Sequence, residues 1–228
     1  MKKLPIFVVV LMLCIGSIVR AENSATVQNC QSDPFDFAIG IDFAFGTSKD
    51  FQNFVSEQFQ VDLPNVRRGG TFAFTMQPQG EKLSIIITGN FRLFQHSKND
   101  ITFNWLNGRG NLDVAYDVFA NQRIRVSPFA GMGFSVNELN YNDNRTLGNQ
   151  LTVSEILEVP SLNLTQTSFG LNAGVKGNLK LYKRFNLSAY VKWEQALSNS
   201  SWQYQNQKIQ SVPKFNNSGL AMGLMVGF

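Results

Sequence analysis

The chain has little cysteine and little histidine, and beyond its N-terminal segment it has no long apolar run. It holds two cysteines in 228 residues, and Cys14 lies inside that N-terminal segment. Cys30 is then left alone in a short polar arm. An odd thiol in an exported chain pairs between molecules or stays free, and it cannot staple the fold from within. His96 is the single histidine, so a multi-histidine metal site is excluded, and no cysteine cluster replaces it. No cofactor is expected. A glycine-rich phosphate loop is also missing: Gly131, Gly133, Gly170 and Gly174 fall within strand-like stretches, where glycine relieves crowding and permits curvature. No later stretch approaches the roughly 18 uncharged apolar residues of a spanning helix. Any membrane crossing has to be made of strands.

What is present begins with MKKLPIFVVVLMLCIGSIVRA. Lys2 and Lys3 precede an apolar run from Leu4 to Val19, and the small residue Ala21 follows. This is the layout of a secretory signal peptide over residues 1–21, cleaved after Ala21, with a short periplasmic arm at 22–34. Pro5 and Gly16 interrupt the run, which argues against an uncleaved anchor, and Leu13 before Cys14 argues against lipidation. Losing Lys2, Lys3 and Arg20 from 20 basic residues leaves 17 against 16 acidic ones. Nucleic-acid binding has no electrostatic support.

From Phe35 onward most apolar residues recur at every second position. In FDFAIGIDFAFG (35–46), Phe35, Phe37, Ile39, Ile41, Phe43 and Phe45 alternate with Asp36, Ala38, Gly40, Asp42, Ala44 and Gly46. That is a strand with one apolar face and one small or charged face. The pattern returns at 71–77, 82–95, 111–119, 125–136, 168–181, 185–197 and 218–228, giving eight strands. In the third, Ile86 and Phe94 break the alternation. ITFNWL (101–106) would extend the fourth through a bulge near Gly108 and Gly110.

The connections alternate in length. Tight links lie at Pro78 to Glu81, Ala120 to Arg123 and Tyr182 to Arg184, and long polar links at 47–69, 96–110, 138–166 and 198–217. Short turns at one end and long loops at the other suit an up-and-down transmembrane β-barrel over 35–228, the loops lying outside the cell. DFQNFVSEQF (50–59) reads either as a short amphipathic helix or as a loop whose aromatics cover the barrel rim. EILEVPSLNL (155–164) reads as an extension of the sixth strand or as a further hairpin arm.

Alternation by itself leaves two barrels open, since a soluble lipocalin-like barrel turns the apolar set inward and a membrane barrel turns it outward. The polar face decides between them. It carries small residues together with Asp36, Asp42, Arg92, Asp113, Asp117, Arg125, Lys176, Lys192 and Glu194, five acids and four bases that can neutralise one another in a narrow lumen. A basic residue facing lipid at mid-depth would cost roughly 2–4 kcal/mol. The charge-free face therefore suits hydrocarbon. Aromatics gather near strand ends, with Phe35, Tyr182 and Phe185 at the short-turn end and Phe45 and Trp193 toward the other, as interfacial girdles require. Trp105 and Trp202 are expected beyond them, in loops.

Three stretches carry a family resemblance: SPFAGMGFS (127–135), SFGLNAGVKGNLKLYKRFNLSAYVKW (168–193) and the terminal GLMVGF. On these the chain, over about 35–228, resembles the small outer-membrane β-barrel proteins of the OmpA- and OmpX-like kind. The resemblance implies an assembly signal in the last strand, matched here by Gly223, Val226 and Phe228, with Met222 at the position where the family has a polar residue.

The expected function is that of an outer-membrane barrel with a plugged lumen, structural or interacting through its loops. The expected partners are outer-membrane lipid, the barrel-assembly machinery, and an extracellular ligand or host surface met through 47–69 and 138–166. A monomer is expected. The alternatives are a small channel or carrier for hydrophobic solutes and a lipid A-modifying enzyme centred on His96. Ser97 follows His96 but points to the opposite face of an extended chain, so it is a poor nucleophile for it. The Asn-X-Ser/Thr tripeptides at Asn144, Asn163, Asn186 and Asn199 read as loop and lumen polarity rather than as glycosylation sites.

Overall fold

The structure, a computed structural model, describes residues 35–46, 48–78, 81–98, 101–121, 123–143, 161–182, 185–205, 207–209 and 212–228. The signal peptide, the 22–34 arm with Cys30, the Asn144 tripeptide and residues 155–160 lie outside them. In chain order the elements are β1 (Phe35–Phe45), α1 (Lys49–Phe59), β2 (Val66–Met76), β3 (Leu83–Lys98), β4 (Ile101–Tyr116), β5 (Phe119–Ala120), β6 (Ile124–Asp143), β7 (Ser161–Tyr182), β8 (Phe185–Asn199), β9 (Trp202–Tyr204), β10 (Gln207–Ile209) and β11 (Gly219–Gly227). No helix among the described residues is long and apolar enough to cross a membrane.

Eight of the strands form the wall. β1, β2, β3, β4, β6, β7, β8 and β11 pair antiparallel in that order, and β11 returns to β1 with Ile39 opposite Val226 and Ile41 opposite Leu224. Closure removes every sheet edge along the wall, so backbone polar groups at membrane depth find partners within the sheet. The first and last strands meet at the short-turn end, where the Phe228 N–H donates to the Phe37 carbonyl at 3.0 Å.

The alternation resolves with its apolar side outward. Ile39, Ile41, Ile85, Leu112, Val114, Met132, Phe134, Leu171, Val191 and Leu224 are exposed, while Asp42, Arg92, Asp113, Lys192 and Glu194 are buried. Water on that outer surface would face a broad apolar belt, and charges would fill the core, the reverse of a soluble barrel. Hydrocarbon is the solvent that fits, which removes the lipocalin-like reading.

The wall is uneven. β3, β4, β6 and β7 run 16, 16, 20 and 22 residues, whereas β1, β2, β8 and β11 run 11, 11, 15 and 9. The expected long link 96–110 is therefore not a loop, because β3 continues to Lys98 and β4 starts at Ile101. Nor is there a bulge at Gly108 or Gly110: β4 stays in register with both neighbours from Ile101 to Ala115. The 138–166 link shrinks likewise, since β6 reaches Asp143 and Ser161 to Leu164 belong to β7. The 198–217 link contains the small β9–β10 hairpin, joined to β7 at Thr165 and Gln203. Residues 50–59 are helical, and α1 turns Phe51, Val55 and Phe59 down into the barrel mouth.

The filled lumen as candidate functional site

Four tiers of inward side chains fill the barrel. At the long-loop end, the α1 residues Phe51, Val55 and Phe59 pack with Val61 and Leu63 of the segment that follows. They meet Phe103, Trp105, Leu139 and Leu164 from the tall strands, and Trp202, Val212 and Phe215 from the last long connection. Phe51 is the hub, stacked on Trp202 with centroids 5.4 Å apart and set edge-on to Phe215 at 5.3 Å. Trp105 stands edge-on to Phe215 at 4.7 Å, and the Trp202 indole donates to the Pro213 carbonyl at 2.9 Å. Trp105 and Trp202 are thus core residues, not loop residues beyond a girdle. The helix ends at Gln60, whose left-handed backbone (φ 56°) lets its N–H reach the Ser56 carbonyl. Ser56 donates to Asp62 at 3.0 Å and Gln52 to Asn65 at 3.0 Å, tying α1 to the chain that leads into β2.

Beneath this cap lies an ionic tier. Glu194 forms ion pairs with Lys192 at 3.0 Å, Arg109 at 3.4 Å and Arg92 at 3.5 Å. Arg92 also grips Asp42, whose second oxygen accepts from the Tyr190 hydroxyl at 2.6 Å. A set of amides surrounds them: Asn111 links Asn90, Arg109 and Asn172, and Asn107 links Asn137 and Asn217. Arg67 is the hinge between cap and ionic tier. Its guanidinium lies 5.0 Å from the Phe215 ring and 5.5 Å from that of Trp105, and it donates to the Gly46 carbonyl and to Asn217.

Below come Ala38, Ala73, Ile86, Ala115, Phe129 and Met225, an apolar layer roofed by Tyr190. This places Ile86, an exception in the sequence alternation, inside, as the cap places Phe94. Between this layer and the charges a cavity of about 20 Å³ is lined by Asp113, Lys176 and Lys192 as well as Phe129 and Met225, room for a single water. The last tier closes the short-turn mouth. Arg125 pairs with Asp117 at 3.2 Å and bonds Gln77, and Asp117 also accepts from Ser127 at 2.6 Å.

Of the nine charged residues expected inside, the structure brings Asp42, Arg92, Lys192 and Glu194 into one cluster and Asp117 and Arg125 into another. Asp36, Asp113 and Lys176 stand apart: Asp36 accepts from Asn186 at 3.1 Å and Lys176 donates to Thr75 at 3.2 Å. Sequence reasoning missed Arg67 and Arg109. Both fall in stretches expected to be loops, yet parity alone identifies them, because Arg67 shares it with inward Thr71 and Ala73, and Arg109 with Asn111 and Asp113.

The residues of the expected assembly signal sit in the closing strand. Gly223 faces inward under Tyr190, where an added Cβ would lie 2.5 Å from a ring carbon, so only glycine admits that ring. Val226 and Phe228 face outward, and Phe228 stands edge-on to Phe37 at 5.7 Å. His96 pairs with Phe103 in the ladder, with Ser97 on the other face. Among the described residues no hydrogen bond joins His96 to a hydroxyl or carboxylate.

No family model and no curated protein matches this chain. Solved structures do match. The attachment invasion locus protein Ail of Yersinia pestis, solved with the heparin analogue sucrose octasulfate, aligns with a TM-score of 0.50 at 9% identity, covering 85% of this chain and 95% of that one. A major outer membrane protein from Thermus thermophilus aligns with a TM-score of 0.53 at 14% identity, covering 86% of this chain and 100% of that one. With lipid-suited residues outside and a packed polar interior, the chain has the closed eight-stranded β-barrel fold of the small outer-membrane proteins.

Proposed function

We propose that this protein is an integral outer-membrane barrel that conducts nothing through its lumen and acts as a rigid, surface-presenting scaffold. The observation that carries the reading is the double obstruction of the interior. An aromatic cap closes the long-loop end, and the Glu194 and Asp42 ion pairs close the space beneath it. Eight strands leave an interior only wide enough for side chains. This argues against the small channel or carrier. The apolar face of α1 is consumed by the cap, so what the described part of the 47–69 segment offers a partner is the outer face of the helix, including Asn53, Glu57 and Gln58, with Asp62 and Asn65 beyond it. The tall strands β6 and β7 are the other presenting element.

Planar-bilayer recording of the refolded protein tests this directly: no steady conductance is expected, and a reproducible open level would overturn the closed-lumen reading. Insertion is read separately from the heat-dependent gel shift of detergent samples. The terminal signal belongs to the same reading. Deleting Phe228 should lower membrane levels well below those of an Asn216 deletion, and equal levels would remove the assembly role from the terminal aromatic.

A further inference from the structure

The enclosed part of the lumen holds more positive charge than negative. Between the aromatic cap and the tier at the short-turn mouth, Arg67, Arg92, Arg109, Lys176 and Lys192 are each at most 5% exposed. The carboxylates that share this space are Asp42, Asp113 and Glu194, each at most 2% exposed. Five cations thus face three anions. Hydrocarbon lies outside the wall and aromatic rings lie above, so bulk water does not screen the difference. Lys176 donates to Thr75 at 3.2 Å, a bond that a neutral amine makes as well. Even with Lys176 counted as neutral, four cations face three carboxylates, and three of the four are arginines, which stay protonated in proteins.

The surplus falls on Arg67. Arg92, Arg109 and Lys192 each reach a carboxylate, but among the described residues no carboxylate pairs with Arg67. Its Nη1 and Nη2 make long contacts of 3.4 Å with Asn217 Oδ1 and the Gly46 carbonyl, and its Nε is buried without a partner. The Trp105 and Phe215 rings beside it favour a cation but supply no counter-charge. Two more buried donors without partners belong to the same cage, Arg92 Nη2 and Asn137 Nδ2. One amide pair joins all three side chains. Asn217 accepts from Arg67 and from Asn107 at 3.4 Å, and Asn107 accepts from Arg92 at 3.3 Å and donates to Asn137 at 2.8 Å. Most of these bonds exceed the usual N–H···O separation of about 2.9–3.0 Å. The cage is slack, and its unsatisfied groups are donors.

We propose that the lumen binds one small monovalent anion of the halide class beside Arg67. The anion accepts from Arg67 Nε, Arg92 Nη2 and the Asn137 amide, on β2, β3 and β6, and it supplies the counter-charge that Arg67 lacks. A phosphate or sulfate would bring more acceptor oxygens than these three donors satisfy. Because Asn217 follows the cap residue Phe215 by two positions and contacts Arg67, an anion here fastens the cap to the charges beneath it.

Crystals of the full refolded protein grown in sodium bromide test the site by anomalous scattering. One bromide peak against Arg67 Nε is expected in wild type, and none there in Arg67→Met. Peaks confined to exposed basic side chains such as Arg123 or Lys180, or no anomalous signal at Arg67, would overturn the site. The second measurement is the urea midpoint for loss of the heat-shiftable form, with sodium chloride replacing sodium gluconate, a bulky anion, at constant ionic strength. The wild-type midpoint should rise with chloride, since a ligand held only by the folded state stabilises it by mass action. Lys180→Ala should rise in parallel, and Arg67→Met should stay flat. Equal wild-type midpoints in the two salts, or the same rise in Arg67→Met, would also defeat the proposal. Arg67→Gln replaces the methionine variant if that one fails to insert, and the wild-type bromide crystals decide the matter without either.

Discussion

On β4 the same side of one unbroken strand points into the barrel along its whole length, yet its two halves are made of opposite materials. Near the short-turn end the inward residues are Asn107, Arg109, Asn111 and Asp113 and the outward ones Leu106, Leu112 and Val114. Toward the loops the inward residues are Ile101, Phe103 and Trp105 and the outward ones Thr102 and Asn104. β3, β6 and β7 repeat the inversion. Arg92 gives way to Phe94 inside as Leu93 gives way to Gln95 outside, and Asn137 gives way to Leu139 as Val136 gives way to Glu138. On β7, Gln166 gives way to Leu164 inside as Phe169 gives way to Thr167 outside.

Across the β3–β4–β6–β7 ladders the register does not change between the two storeys; the solvent outside does. Against hydrocarbon, apolar residues belong outside and polar ones are left to pair within. Against water, the ordinary rule returns and apolar residues gather inside. The inversion thus marks where the protein leaves the membrane, more sharply than any aromatic girdle. The lower storey is held by hydrogen-bonded charge and the upper one by aromatic packing, so substitutions should separate them.

The largest effect should come from the lower storey. Glu194→Ala leaves Arg92, Arg109 and Lys192 without their shared counter-charge, and removing one partner of a buried ion network costs about 3–5 kcal/mol. The urea midpoint for loss of the heat-shiftable form should fall steeply, and an unchanged midpoint would mean that the cluster contributes nothing to the fold. Next is Phe51→Ala, a truncation worth about 3 kcal/mol at the hub of the cap. The loss should stay local: limited proteolysis should cut between residues 46 and 65 while the barrel remains heat-shiftable. A loss of the barrel itself would mean that the two storeys fold as one unit. The most direct challenge to the inversion is an arginine placed outward on β4 at each level. Leu112→Arg should destabilise by about 2–4 kcal/mol and Asn104→Arg by about 0–1 kcal/mol, read from the same urea titration. Equal costs would dissolve the boundary.

The inversion also explains where sequence reading stops. Between Trp105 and Leu106 the apolar set on β4 jumps from odd to even positions, and a bulge is the ordinary meaning of such a jump. Here the register is unbroken and the environment changes instead, so 96–110 reads as a loop and Trp105 as a loop residue. Arg109 is lost with them. Gly223 shows the opposite case: its place in the last strand is legible, but the reason for glycine there, the Tyr190 ring pressed over it, lies on a neighbouring strand and depends on the pairing register.

The sequence by itself determined the strand count within the membrane, the up-and-down order, the outward apolar face and most of the charged lumen. These follow from period-two patterning, which the pleat of a single strand imposes locally. Tertiary structure alone decided which charges meet, why Glu194 serves three cations, and that α1, the tall strands and the 212–215 segment combine into a cap. Those contacts join residues far apart in the chain, and they depend on the stagger with which the sheet closes, a geometric quantity that no local period contains.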